Sequence, residues 1–109
     1  MGSRRRRVVW TIGARDALDA AIEFIAEDSP AGAERILAAT LDLAESLQSL
    51  SERGRIVPEI GDTAIREVFV YSYRLIYRVA DGDVVILAFL HGARDFERWR
   101  RDRDWQGPG

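Results

Sequence analysis

Few side chains in this sequence can do chemistry, and their types restrict what that chemistry is. His91 is the single histidine and cysteine is absent, which excludes disulfides, thiolate zinc sites and any histidine pair. The nine glycines are scattered and form no phosphate-cradling loop, and no Ser-His-Asp set is evident from spacing. "DGD" at 81–83 is too short for a calcium loop and reads as a turn. What remains is a set of acids, arginines and one imidazole that suits metal-free cleavage of RNA. That reaction needs a base for the 2′-hydroxyl, a cation for charge developing on phosphorus and an acid for the leaving oxygen. Glu59 or His91 fits the first or third role, and Arg55, Arg66 or Arg74 the second. Arginine holds its proton too tightly to shuttle it. The spacing is equally consistent with Glu59 as an ordinary loop acid and His91 as the end of a strand. No metal and no cofactor is expected.

All sixteen basic residues are arginine. Arginine suits bidentate phosphate recognition, but the chain is also rich in alanine, and a GC-rich coding sequence accounts for both biases. The distribution of charge is more informative. Residues 1–15 carry +5, 16–52 carry −8, 53–78 carry +2 and 79–109 carry −1, for a net −2. The acids fall where helices are expected, the arginines in the N-terminal run and the strands. An acidic protein can still present one basic face to an anionic partner. The −8 stretch argues against nucleic acid binding on the outer face of the helices.

The 109 residues, 47% hydrophobic and 31% charged, fit one globular domain. No apolar run approaches the roughly 18 residues a membrane helix needs, and "MGSRRRRVVW" lacks the apolar stretch of a signal peptide. The expected location is cytoplasmic. Residues 1–7, with "RRRR" at 4–7, read as a basic flexible tail, and 8–109 as a single domain.

"VVWTI" (8–12) reads as a strand. From Ala14 the period changes, with Leu18, Ile22 and Ile25 on one face of an amphipathic helix. Ser29 is a good N-cap and Pro30 fits the first position of a second helix, whose apolar face runs through Ala33, Ile36, Leu37, Leu41, Ala44 and Leu47. Two helices this close are antiparallel neighbours. "SERGRIVPEIGDT" (51–63) is a loop, followed by strands over about 64–70, 73–79 and 84–90. The turn at Tyr71–Ser72 lacks the Gly or Asn that a two-residue hairpin prefers. The end can form a short helix through Phe96 and Trp99. The expected fold is therefore α+β, a two-layer β-α-α-β-β-β domain. An antiparallel sheet packs one face on an N-terminal helical hairpin and leaves the other free.

"REVFVYSYRLIYRV" (66–79) carries three arginines. Alternation puts Arg66 with Val68 and Val70, and Tyr73 with Leu75, Tyr77 and Val79. Arg74, Ile76 and Arg78 share the opposite face, which should point away from the helices because unpaired arginine is rarely buried. That pattern fits a solvated face with cross-strand Arg–Glu pairs, for instance through Glu67. It also fits a grip on something anionic. Periodicity does not choose between them.

The motifs "SPAGAERI", "GRIVPE", "IREVFV-YSYRLIYRV" and "VVILAFLHGARD", in that order and spacing, resemble the ParE/RelE superfamily of type II toxin–antitoxin toxins, the plasmid stabilisation group. The resemblance runs from about Val8 to Arg94. It implies a toxin neutralised by a cognate antitoxin whose C-terminal segment wraps it, in a hetero-oligomer. It also implies one of two targets. ParE-like members inhibit DNA gyrase, and RelE-like members are ribosome-dependent endoribonucleases. The motif series looks more like the ParE branch, and the RelE type relies on several lysines, which this chain lacks. Some nucleases of the superfamily use a Glu, an Arg and a C-terminal His. Glu59 and Arg74 stand at matching places, while His91 is about one residue off. By this resemblance the working surface is the free sheet face with its loops. Arg66, Tyr73, Arg74, Arg78 and Arg94 are the expected binding residues, and Glu59, Arg74, His91 and Arg55 the catalytic set in a nuclease. A relic that binds antitoxin without acting on a target is the third alternative.

Overall fold

The computed structural model describes residues 5–102, without the side chains of Ala93 and Arg94. The order is β1 (Arg7–Trp10), α1 (Ile12–Asp28), α2 (Pro30–Ser46), β2 (Arg55–Ile56), β3 (Ile65–Val70), β4 (Tyr73–Val79), β5 (Asp83–His91) and α3 (Gly92–Asp102). Both long helices are capped by hydroxyls. Thr11 Oγ1 accepts from Ala14 N and starts α1 two residues before the expected Ala14. Ser29 Oγ accepts from Gly32 N, with Pro30 just inside α2 as expected.

The sheet order is β1-β5-β4-β3-β2. β3, β4 and β5 form the expected antiparallel meander. The sheet as a whole is mixed, because β1 pairs with β5 in parallel, Arg7 opposite Asp83 through Trp10 opposite Ile86. The two-residue β2, antiparallel to β3 and absent from the sequence reading, reverses the chain once more before the meander. As a result β3 and β5 run in the direction of β1. The Tyr71–Ser72 turn forms without glycine. Tyr71 takes φ 56°, a left-handed conformation costing a non-glycine residue roughly 1–2 kcal/mol.

Both faces of the sheet are covered. On the helix side Val68, Leu75, Tyr77, Val84, Ile86 and Phe89 pack against Ala14, Leu18, Ala44 and Leu47. On the second face Ile65, Ile76, Ala88 and Leu90 lie under Val57 of the central loop and Phe96 of α3. The second face is therefore not free, contrary to the alternation argument. Strand periodicity reports which residues share a face, not what arrives to cover it. Nor is the arginine run wholly a tail. Arg6 Nε donates to Ala80 O (2.9 Å) and its Nη1 to Ser51 Oγ (2.9 Å), and Arg7 already belongs to β1.

Candidate functional site

Arg74 sits in the middle of β4 on the second face, 8% exposed. Its Nε donates to Glu67 Oε1 at 2.7 Å, and Nη2 reaches the same carboxylate. Nη1 and Nη2 also donate to Glu59 Oε2 and Oε1, at 3.3 and 3.1 Å. Four of the guanidinium's five N–H donors are thus engaged with carboxylates. The Phe96 ring lies over the guanidinium carbon at 4.6 Å, a cation–π contact that closes the site from above. Glu67, fully buried, also accepts from Arg55 Nε. The result is an alternating chain of charge, Arg55–Glu67–Arg74–Glu59, spanning β2, β3, β4 and the loop.

The electrostatics follow from this geometry. Burial alone disfavours the charged form of Arg74, but the hydrogen bonds and charges of Glu59 and Glu67 more than offset it and raise its pKa. The hydrogen bond from Arg74 holds the Glu59 carboxyl below its ordinary range, against a smaller opposing effect of burial. A carboxylate tied to a guanidinium and kept ionised is a poor general base. The expected cross-strand Arg–Glu pair through Glu67 is present, but it is buried rather than solvated.

His91 lies on the other side of the sheet. Its neighbour across the strands is Tyr73, while Arg74 pairs with Leu90. Tyr73 stacks on Phe89 of the helix-side core, centroids 4.7 Å apart and 7° from parallel, and the His91 ring sits 4.9 Å from Tyr73. Burial raises the pKa of Tyr73. Tyr73 and His91 form the floor of an open groove of about 500 Å³ between α1 and α3. Glu59 and Arg74 are therefore together and His91 is apart from them, with the sheet between.

The remaining candidates also divide. Arg66 pairs with Tyr77 and so faces the helix side. Its Nη1 donates to Gly54 O at 2.9 Å, pinning the loop beside the Tyr77 hydroxyl. That hydroxyl accepts from Gly54 N (3.0 Å) and donates to Ser51 O (2.8 Å). Burial raises the Tyr77 pKa, and the bond from Gly54 partly opposes this. A Cβ on Gly54 would stand 2.6 Å from Glu67 O and 2.7 Å from the Tyr77 hydroxyl, so only glycine fits there. Arg78 is half-buried on the second face, opposite Ile65 and Val85. Arg55 is the exposed end of the charge chain. The side chain of Arg94 lies outside the described residues. Sequence reasoning named Glu67 only as a surface pairing partner and did not assign Phe96 to the Arg74 site. The signal for Glu67 was its place between Ile65 and Phe69 on one strand face. For Phe96 no local signal exists, because the contact spans β4 and α3.

The profile of the ParE toxin of type II toxin–antitoxin systems matches residues 8–96. The chain belongs to that family. The toxin is 38% identical over 89 residues, 81% of its own length and 97% of the relative's, to a protein named Toxin RelE2 from Caulobacter vibrioides. Among solved structures, the chromosomal ParDE system from P. aeruginosa superposes with a TM-score of 0.67 over 84% of the toxin and all of the matched chain, at 19% identity. The RelBE2 toxin–antitoxin complex from Mycobacterium tuberculosis superposes at 0.57 over 82% and 93%, at 28% identity. The fold of the toxin is thus that of the superfamily the motifs resemble.

Proposed function

We propose that the toxin arrests growth by inhibiting DNA gyrase through protein contacts, and that a cognate antitoxin neutralises it in a hetero-oligomeric complex in the cytoplasm. The observation that carries this reading is the division of the Glu–Arg–His set by the sheet. Metal-free RNA cleavage needs base, cation and acid around one phosphate. Here Glu59 and Arg74 are spent on each other while His91 opens into a different groove. A gyrase inhibitor needs none of these groups to move a proton. The matches to a ParDE system and to a RelBE2 toxin–antitoxin complex support the antitoxin partner. Residues 8–109 are read as one toxin domain.

The test is pulse-labelling of DNA and protein synthesis within minutes of inducing the toxin alone in bacteria. The expected result is that DNA synthesis stops first while translation continues, with Glu59→Gln and His91→Ala as toxic as the parent. Early collapse of translation overturns the gyrase reading in favour of the ribosome-dependent nuclease. Unchanged synthesis and growth point to the relic.

A further inference from the structure

The outer side of α1 carries more than a solvated helix needs. Ile12 and Phe24 are 78% and 70% exposed, near its two ends and roughly 18 Å apart at 1.5 Å per residue. Between them, Ala17, Ala20 and Ala21 line the α1 side of the groove of about 500 Å³, with Phe24 at their end and Trp99 of α3 across from them. Three methyl groups do not fill the space between two helices, so the groove stays open beside an exposed aromatic ring.

Beyond Phe24 around the helix, Asp16, Asp19, Glu23 and Glu27 recur at i, i+3, i+7 and i+11, a single stripe of exposed carboxylates. No ion pair among the described residues neutralises any of them. Like charges at i, i+4, as in Asp19–Glu23 and Glu23–Glu27, oppose helix stability, so folding alone does not account for the stripe. On the α3 side of the groove Asp95 and Asp102 flank Arg98. A second copy of the toxin, or nucleic acid, would bring further negative charge against this face. The partner it fits is basic, with an apolar group to cover Phe24. An enzyme that handles DNA carries such an Arg- and Lys-rich surface.

We propose that the outer side of α1, from Ile12 to Glu27, is the surface by which the toxin grips DNA gyrase. The inference rests on the gyrase reading above and deepens it by naming the contact. Arg or Lys side chains of a basic, DNA-contacting surface of gyrase pair with the four carboxylates. An apolar side chain of gyrase enters the groove over Ala17, Ala20 and Ala21 and covers Phe24. The charges steer the encounter, and the desolvated aromatic contact holds it.

The experiment measures binding of the purified toxin to gyrase holoenzyme from the bacterium used for pulse-labelling, by biolayer interferometry at low and high salt. Affinity for the parent should fall as salt rises. Phe24→Glu should weaken binding roughly tenfold or more and leave the melting temperature within a few degrees of the parent's, because the position is exposed. Glu23→Gln combined with Glu27→Gln removes both like-charge pairs and should melt no lower than the parent. It should weaken gyrase binding severalfold and flatten its dependence on salt, and it decides the matter should Phe24→Glu fail to fold. Binding of gyrase by both variants as tight as the parent's overturns the surface and leaves the gyrase reading standing. Loss of the antitoxin encoded beside the toxin, with gyrase binding intact, assigns the face to the antitoxin and also overturns the proposal. A parent toxin that binds no gyrase overturns both the surface and the gyrase reading.

Discussion

The two faces of one sheet solve the same burial problem in opposite ways. The helix-side face is apolar, closed by two long helices whose stripes were set by 3.6-residue periodicity. Its main buried polar group is the Tyr77 hydroxyl, satisfied by two backbone partners. The second face is closed by a loop and the short α3, and it buries a full charge cluster, with Glu67 at 1% and Arg74 at 8% exposure. The difference teaches where specificity comes from. An apolar face tolerates any cover of the right shape. A buried Arg–Glu chain accepts only the cover that supplies its partners, here Arg55, Glu59 and the Phe96 ring.

The largest expected effect breaks the charged face. Arg74→Ala leaves Glu67 buried with the exposed Arg55 as its remaining ion-pair partner and should cost roughly 3–5 kcal/mol in denaturant unfolding. The comparison sharpens if Arg74→Met is combined with Glu67→Leu. That pair should recover most of the loss, because hydrophobic replacement of a buried pair is often neutral. A double variant as unstable as the single would mean that the cluster does more than satisfy itself.

A smaller loss is expected on the apolar face. Tyr77→Phe orphans the buried Gly54 N–H and Ser51 C=O and should cost about 1–3 kcal/mol, read by the same unfolding curves. The central loop should loosen first, visible as faster amide exchange over 51–54.

The pH dependence separates the faces next. Arg74 depresses the Glu59 pKa in the folded state. Its contribution is thus fully present above the ordinary glutamate value of about 4.3. It is lost as pH falls through the lower folded value. Stability measured from pH 6 downward should decline in that window, and Glu59→Gln should flatten that part of the curve. The smallest effect belongs to His91, exposed at the end of β5. His91→Ala should change stability by no more than about 0.5 kcal/mol, and a larger loss would tie the groove floor to the core.

How much of this was legible in the chain varies by element. Ser29 and Pro30 announced the start of α2, and alternation grouped Arg66, Val68 and Val70 on one face of β3 and separated Tyr73, Leu75, Tyr77 and Val79 from Arg74, Ile76 and Arg78 on β4. Local chemistry suffices there, because caps and strand pleats involve residues a few positions apart. The candidate site was legible in its members and not in its assembly. Glu59, Arg74 and His91 could be listed, but a register decides that Arg74 pairs with Leu90 and His91 with Tyr73, and so that they stand on opposite faces. β2 escaped notice because two residues show no period, and the parallel pairing of β1 followed from it.

The sequence by itself determined the family, the helical hairpin, the meander and the grouping of side chains along each strand, since all of these are written in short-range spacing. Only the tertiary structure decided that α3 and the central loop cover the second face, and that Arg74 is neutralised by Glu59 and Glu67. Each of these depends on contacts between different elements of the chain, whose free energy is realised only when the chain has closed around them.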